Sequence, residues 1–374
     1  MNRLPAGVMR EAIIDVDAIE DNVRHLRRLT ESELIAVVKA DGYGHGAVRA
    51  AVAALAGGAS RLGVADIAEA LALRRAGIDA PIMAWLHAPG TSFVEAASVN
   101  IEIGVSSFEQ LLQAAEASTA GRAVSVHLKL DTGLSRNGIA PEEYRVVFAE
   151  AARLQRLGRL NVVGLFSHLS NASPHEDRAQ LARFHEGVAA AALVGVNPHL
   201  LHIAATAAAI DLPEARLGCV RVGVGIYGLS PFSARSSADL GLRPAMTLRA
   251  AVAATRSVSA GAGVSYGFDY RTAADTTLAL VALGYADGVP RQASGAGPVT
   301  IGGKRFTVAG RIAMDQFIVD VGEHPVAVGD EVTLFGDPTL GAPAADDWAN
   351  AASTINYDIV TRIGPRVVRK QVST

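Results

Sequence analysis

Through residue 224 the chain alternates between apolar, β-prone runs and stretches of helical spacing. The runs are 34–40 (LIAVVKA), 62–65 (LGVA), 81–86 (PIMAWL), 101–105 (IEIGV), 123–130 (AVSVHLKL), 160–168 (LNVVGLFSH), 199–204 (HLLHIA) and 219–224 (CVRVGV). Several are apolar at successive positions, as strands buried on both faces of a parallel sheet are. Between most of them lie alanine- and leucine-rich segments such as DIAEALALRRAG, SFEQLLQAAEAS and DRAQLARFHEGVAAAALV, which favour amphipathic helices. Eight strand–helix repeats predict an α/β fold built on a TIM-like (β/α)8 barrel.

Beyond about residue 240 the texture changes. AMTLRAAVAATRSV, TTLALVALGYADG, GPVTIGGKRFTVAGRIAMDQFIVDV and EVTLFG are β-prone runs broken by glycine turns, with few helical stretches between them. The segment GLSPFSARSSADLGLRP (228–244) is rich in Ser, Pro and Gly and is read as the connection. The expected division is a barrel over 1–240 and a mostly β C-terminal domain over 241–374.

A barrel of this kind places its chemistry at the C-terminal ends of its strands. That rim is expected to hold Lys39, Trp85, Lys129, His168, His202 and Arg221. So many cationic and imidazole groups exceed what a purely structural rim requires. Lys39 ends an apolar run and precedes three glycines in DGYGHG. Its amine either reaches solvent along the side-chain stem or serves as a reactive group, and periodicity leaves both open.

Charge and composition narrow the function class. The chain has 34 basic and 37 acidic residues in 374, a formal net charge of -3, so nothing electrostatic favours nucleic acid or an anionic membrane. A small-molecule substrate is the expectation. The single cysteine, Cys219, forbids an internal disulfide and, with its apolar neighbours, reads as a buried thiol. The N-terminal stretch lacks a signal-like apolar core, and no run of about 18 apolar residues occurs. These features predict a cytoplasmic protein, and no metal-ligand pattern is evident.

Gly223-Val224-Gly225-Ile226-Tyr227-Gly228 matches G-x-G-x-x-G. The fingerprint should open a helix inside a βαβ unit and precede an acidic residue, whereas LSPFSARSS follows, so a nicotinamide enzyme is disfavoured. A phosphate cradle fits better, because barrels often bind phosphate with the loops after their seventh and eighth strands. Thr206 follows the seventh run and Gly223-Val224 the eighth. A phosphate cradle facing a strand-end lysine points to a Schiff base with pyridoxal 5′-phosphate.

The segments AVVKADGYGHGA, HLKLDTGLSRNG, VRVGVGIYGLSP, VSYG, LGYADG, GRIAMDQ and INYD occur in register from residue 36 to 358. Together they resemble the alanine racemases, pyridoxal-phosphate enzymes of fold type III. The resemblance implies interconversion of L-alanine and D-alanine by proton transfer at Cα, supplying D-alanine for peptidoglycan. In that scheme Lys39 anchors the cofactor and is one base, and Tyr266 in VSYG is the second. Tyr43, Trp85, His168, Thr206, Arg221, Gly223, Val224 and Tyr357 surround the cofactor. Arg136 clamps the substrate carboxylate, and Tyr285, Met314 and Asp315 line the substrate side. Lys129 matches the lysine that many family members carry as a carbamate; the alternative is an unmodified amine paired with Asp131 or another carboxylate. Arg221 opposite the pyridine nitrogen favours racemisation over decarboxylation, because it acts only as a donor.

The chain departs from the family pattern at Ala205, where an asparagine is common, and at Ala313, where a cysteine is frequent. The second change leaves room for a larger substrate, so a broader racemase acting on serine is the alternative. A non-catalytic pyridoxal-phosphate carrier would lack the second domain and Tyr266. The resemblance also implies a homodimer in which Tyr266 reaches the barrel of the other subunit.

Overall fold

The computed structural model describes residues 3–119 and 121–373. Eight parallel strands, β2 (Glu33–Val37), β3 (Arg61–Val64), β4 (Ile82–Ala84), β5 (Ile101–Val105), β6 (Val124–Lys129), β7 (Leu160–Phe166), β8 (Leu200–His202) and β9 (Cys219–Val222), follow β1 (Arg10–Asp15) in the chain. They form one sheet in the order β8-β7-β6-β5-β4-β3-β2-β9. The remaining gap between β8 and β9 is spanned by a backbone bond from the Arg221 N–H to the Ala204 carbonyl at 3.0 Å, so the barrel is nearly closed.

The apolar runs thus become the eight barrel strands. β2 stops at Val37, short of the Ala40 end expected, because Ala40, Asp41 and Gly42 take left-handed conformations with φ of 52°, 52° and 62°. The predicted helices form where their caps stand. Asp66, Ser107 and Ser173 accept from the amides of Glu69, Gln110 and Glu176 at 2.9, 3.3 and 3.2 Å, satisfying first-turn donors. The helix Val16–Thr30 buries Ala18, Ile19, Asn22, Val23, Leu26 and Thr30, a single stripe at helical spacing.

The second sheet contains β10 (Met246–Val258), β13 (Thr276–Val281), β14 (Pro298–Ile301), β15 (Lys304–Thr307), β16 (Phe317–Gly322), β17 (Glu331–Phe335) and β18 (Val368–Val372), while β11 (Gly263–Val264) and β12 (Tyr270–Arg271) make a small hairpin. A register shift between Val252 and Ala254 lets the two halves of β10 pair with different neighbours. One strand lies across the expected division. β1 belongs to the 1–240 segment, yet it pairs antiparallel with β10 and parallel with β18. Its Ala12 and Ile14 are fully buried, and Asp15 at its end caps the first barrel helix through the Ala18 amide at 3.1 Å. The N-terminal strand therefore ties the two units together. No helix among the described residues is long and apolar enough to cross a membrane.

Candidate active site

Lys39 sits one residue beyond Val38, whose amide still bonds the Gly63 carbonyl at 2.8 Å. The chain then turns through the left-handed segment, a conformation costing roughly 1–2 kcal/mol per non-glycine residue. Side chains hold the turn in place. Nδ1 of the buried His45 lies 3.0 and 2.9 Å from the carbonyl oxygens of Gly42 and Tyr43, so it carries the proton and donates. Asp41 accepts from the Ala47 amide at 2.8 Å, and Glu69 accepts from the Ala40 amide at 2.7 Å. Gly44, at φ 80°, leaves no room for a Cβ beside the Val360 carbonyl. Strain compensated in this way at a strand end marks a functional turn.

The turn delivers Tyr43 to the barrel mouth. Its ring stacks on Tyr227 at 5.0 Å and approaches Tyr357 at 6.3 Å, while the Tyr227 hydroxyl donates to the Val37 carbonyl at 3.0 Å. Opposite, a Cβ on Gly223 would lie 3.0 Å from Tyr43 Cζ and closer still to its hydroxyl. The Gly225 amide donates to the Thr206 hydroxyl at 3.4 Å. Tyr43, Tyr357, Thr206, Gly223 and Val224 thus converge on one wall of a cavity of about 1250 Å³ that Lys39, Trp85, Lys129, Arg136, His168 and Arg221 also line.

The cavity floor is cationic. Arg221 is almost fully buried, and its terminal nitrogens are committed: one donates to His202 Nδ1 and to the His202 carbonyl, both at 2.9 Å. The other donates to the carbonyls of Ser167 at 2.6 Å and Ile203 at 3.2 Å and to His168 Nδ1 at 3.1 Å. Of its N–H groups only that at Nε has no acceptor among the described residues. Burial pulls the Arg221 pKa down to about 10, which leaves it charged at neutral pH. Burial and the neighbouring cations Arg221, Arg136, Lys129 and Lys39 hold His168 neutral by lowering its pKa to about 3.

The same field acts on the lysines. Burial, then Arg136, lowers the Lys39 pKa against an opposing pull from Glu69. Lys129 is brought down to about 8 by burial, Arg136 and Arg221. Its ammonium donates to Asn137 Oδ1, and among the described residues it forms no ion pair with Asp131, whose Oδ1 accepts from the amides of Gly133 and Ser135 at 3.0 and 3.1 Å.

Four expected residues lie elsewhere. Tyr266, Tyr285, Met314 and Asp315 do not line the cavity of their own chain. They sit on three loops that brace one another: Ser265 Oγ donates to the Arg311 carbonyl at 2.7 Å, and the amides of Tyr285 and Ala286 bond the Ala313 and Met314 carbonyls at 3.1 and 2.9 Å. Arg366 ties Asp315 at 2.7 Å to the buried Asp287 at 3.2 Å. The loops present Tyr266 (71% exposed), Phe268 (57%), Met314 (53%) and Tyr285 (41%) to solvent. Ala205, at one of the departures, lines the cavity.

His202, expected on the rim, is instead wholly buried beneath it, because β8 points its side chain into the barrel. There its Nε2 meets His127 Nδ1 at 3.0 Å, and His127 Nε2 lies 3.0 Å from Glu102 Oε2. His127, Glu102, Arg61 and Phe166 were not among the expected site residues. The available signal was spacing: His127 and Lys129 are two apart on one strand and share a face. Among the described residues no group of His, Cys, Asp and Glu is placed to hold a metal ion.

Comparison with known proteins agrees in both parts of the chain. Residues 14–231 match the alanine racemase N-terminal domain model and residues 245–371 the C-terminal domain model. This chain belongs to the alanine racemase family. It is 52% identical to the alanine racemase of Salinispora arenicola (strain CNS-205) over 359 residues, 95% of each chain. The structure of the alanine racemase of Streptomyces coelicolor A3(2) matches with TM-score 0.96 at 46% identity over 99% of both chains. That from D-cycloserine-producing Streptomyces lavendulae matches with TM-score 0.95 at 46% identity, covering 99% of this chain and 98% of the other. Both family domain models and these whole-length structures bear out a barrel followed by a mostly β domain.

Proposed function

We propose that this chain is an isomerase that interconverts L-alanine and D-alanine with pyridoxal 5′-phosphate, working as a homodimer with shared sites. One observation carries the reading: a desolvated strand-end amine, a donor-only guanidinium and a close-fitting Tyr43–Gly223 cradle face one cavity. The residues fit the cofactor. Lys39 would bind its aldehyde carbon, and Tyr43, Tyr357, Thr206 and the Gly223-Val224 backbone would hold its phosphate. The unpaired Nε–H of Arg221 would donate to its ring nitrogen. When bound, the cofactor delocalises the electron pair left after Cα loses its proton.

The protein supplies the remainder. Arg136 presents a guanidinium fork to the substrate carboxylate. Lys39 Nζ, with its lowered pKa, takes or returns the Cα proton on one face. Tyr266 Oη serves the other face from the partner subunit, because in its own chain it is exposed and does not line the cavity. The aromatic patch around Tyr266 supplies the apolar surface for that pairing. Lys129, neutral in a substantial fraction near pH 8, is suited to attack carbon dioxide, losing a proton to water and leaving a carbamate that orients Arg136.

The test is loss of optical rotation from L-alanine and from D-alanine in separate incubations, with L-serine measured alongside. Both alanine enantiomers should reach the same racemic end point. Borohydride reduction and peptide mapping should place the cofactor on Lys39. Attachment at Lys129 or Lys304, or no loss of rotation from alanine, refutes the proposal.

A further inference from the structure

Beneath Arg221 the barrel interior holds polar groups where bulky aliphatic layers are usual. Arg221, His202, His127, Glu102 and Arg61 run in single file from the cavity floor to the opposite end of the barrel, where Arg61 and Glu102 stand at the starts of β3 and β5. Both histidines are fully buried. Their rings are fixed in orientation: His202 stacks on Phe166 at 5.2 Å and 8°, and His127 stands at 76° to His202. Gly164 makes room for the contact, since a Cβ there would lie 2.9 Å from His127 Cε1 and nearer to Nδ1.

The file has a direction. Arginine is donor-only, so His202 Nδ1, 2.9 Å from Arg221, must accept. The proton of His202 is then on Nε2, which donates across 3.0 Å to His127 Nδ1. The His127 proton is in turn on Nε2 and is given across 3.0 Å to Glu102 Oε2. An ionised carboxylate is acceptor-only, and Arg61 holds it with a salt bridge to the other oxygen. Donor at one end and acceptor at the other leave one tautomer for each ring. Reversing either would set two N–H groups, or two lone pairs, against each other in a site without room to turn.

We propose that Glu102, acting through His127, is a positioning residue that fixes the His202 tautomer and thereby keeps Arg221 aimed at the cavity with its Nε–H free. This deepens the racemase reading and rests on it for its catalytic consequence, while the tautomer order itself does not depend on that reading. The rule is the one by which a buried carboxylate orients a catalytic imidazole, here carried across two rings to a guanidinium.

The test is side-chain ¹⁵N NMR of histidine-labelled protein at neutral pH, recorded with and without pyridoxal phosphate, together with steady-state racemisation. In the unsubstituted protein His127 and His202 should both be neutral with the proton on Nε2. A charged or Nδ1-protonated ring at either position overturns the proposal, whatever the enzyme's activity. In Glu102→Gln, Arg61 claims the amide oxygen and turns the NH2 toward His127 Nε2, so the His127 tautomer should change. kcat should fall about 10- to 100-fold, as when outer-shell partners are lost, with little change in KM. Adding Arg61→Met frees the amide to turn its oxygen to His127, and both the tautomers and most of kcat should return. Unchanged histidine shifts or unchanged kcat in Glu102→Gln, or no recovery in the double variant, overturns the role of Glu102 even where the unsubstituted protein racemises alanine.

Discussion

Gly223→Ala probes the cradle through a single methyl group. The new Cβ would lie 3.0 Å from Tyr43 Cζ and closer to the hydroxyl. Tyr43 cannot simply recede, because it stacks on Tyr227 at 5.0 Å, and Tyr227 is fixed by its 3.0 Å bond to the Val37 carbonyl. The Gly223 φ of -103° is outside the left-handed region. Overpacking by one carbon costs about 1–3 kcal/mol; the part relieved by displacing the Tyr43 hydroxyl has to be restored when that hydroxyl holds the phosphate, so the cofactor Kd should rise by up to about 150-fold. Titrating the cofactor-free protein with pyridoxal phosphate and following its absorbance gives that ratio, with thermal unfolding as a control for folding. The cause can be isolated. In a Tyr43→Phe background the nearest atom is absent, so Gly223→Ala should cost at least about threefold less there. An unchanged Kd, or an equal penalty in both backgrounds, refutes the account of the Tyr43–Gly223 contact.

Two further outcomes are expected. Mixing inactive Lys39→Ala and Tyr266→Phe subunits should restore activity to about a quarter of the unsubstituted enzyme if they exchange at random, because half of the dimers would hold one intact site of two; no recovery would place Tyr266 in the site of its own chain. Acid should destabilise the fold through His45, which burial holds at a pKa of about 4: above about pH 6.5 neither state protonates it, below that the unfolded chain does so first, and stability falls by about 3 kcal/mol as the pH approaches 4. Urea midpoints across this range check it, and a His45→Gln variant with an undiminished acid slope would assign the effect elsewhere.

What could be read in advance follows from which distances the chain itself sets. Eight apolar runs fixed the barrel strands because a strand buried on both faces has to be apolar along its length. The rim then followed, since Lys39, Trp85, Lys129, His168 and Arg221 lie at or just beyond the strand ends and line the cavity. β1 was not placed, because six residues carry no mark of which of two sheets they join; that is decided by the β10 and β18 edges more than 200 residues away. Glu102 was passed over for a related reason. A carboxylate at the start of IEIGV looks like a solvated strand end until the stagger of the barrel sets it beneath His127.

Tyr266 poses a different problem, because the surface it is proposed to meet belongs to a second copy of the chain. In VSYG the structure places Ser265 at φ 60° and Gly267 at 75°, which thrusts Tyr266 outward. Ser265 Oγ, bonded to the Arg311 carbonyl at 2.7 Å, and the Arg311–Asp269 ion pair hold that loop in shape. Tyr266 and Phe268 stand 71% and 57% open. Here the backbone is bent to keep them out. Under the proposed pairing, a solvent-facing tyrosine on one unit and a cationic cavity on the other would be complementary halves of a single site. Their separation within one chain is why the subunit-mixing experiment, rather than any single substitution, decides between assembly and packing.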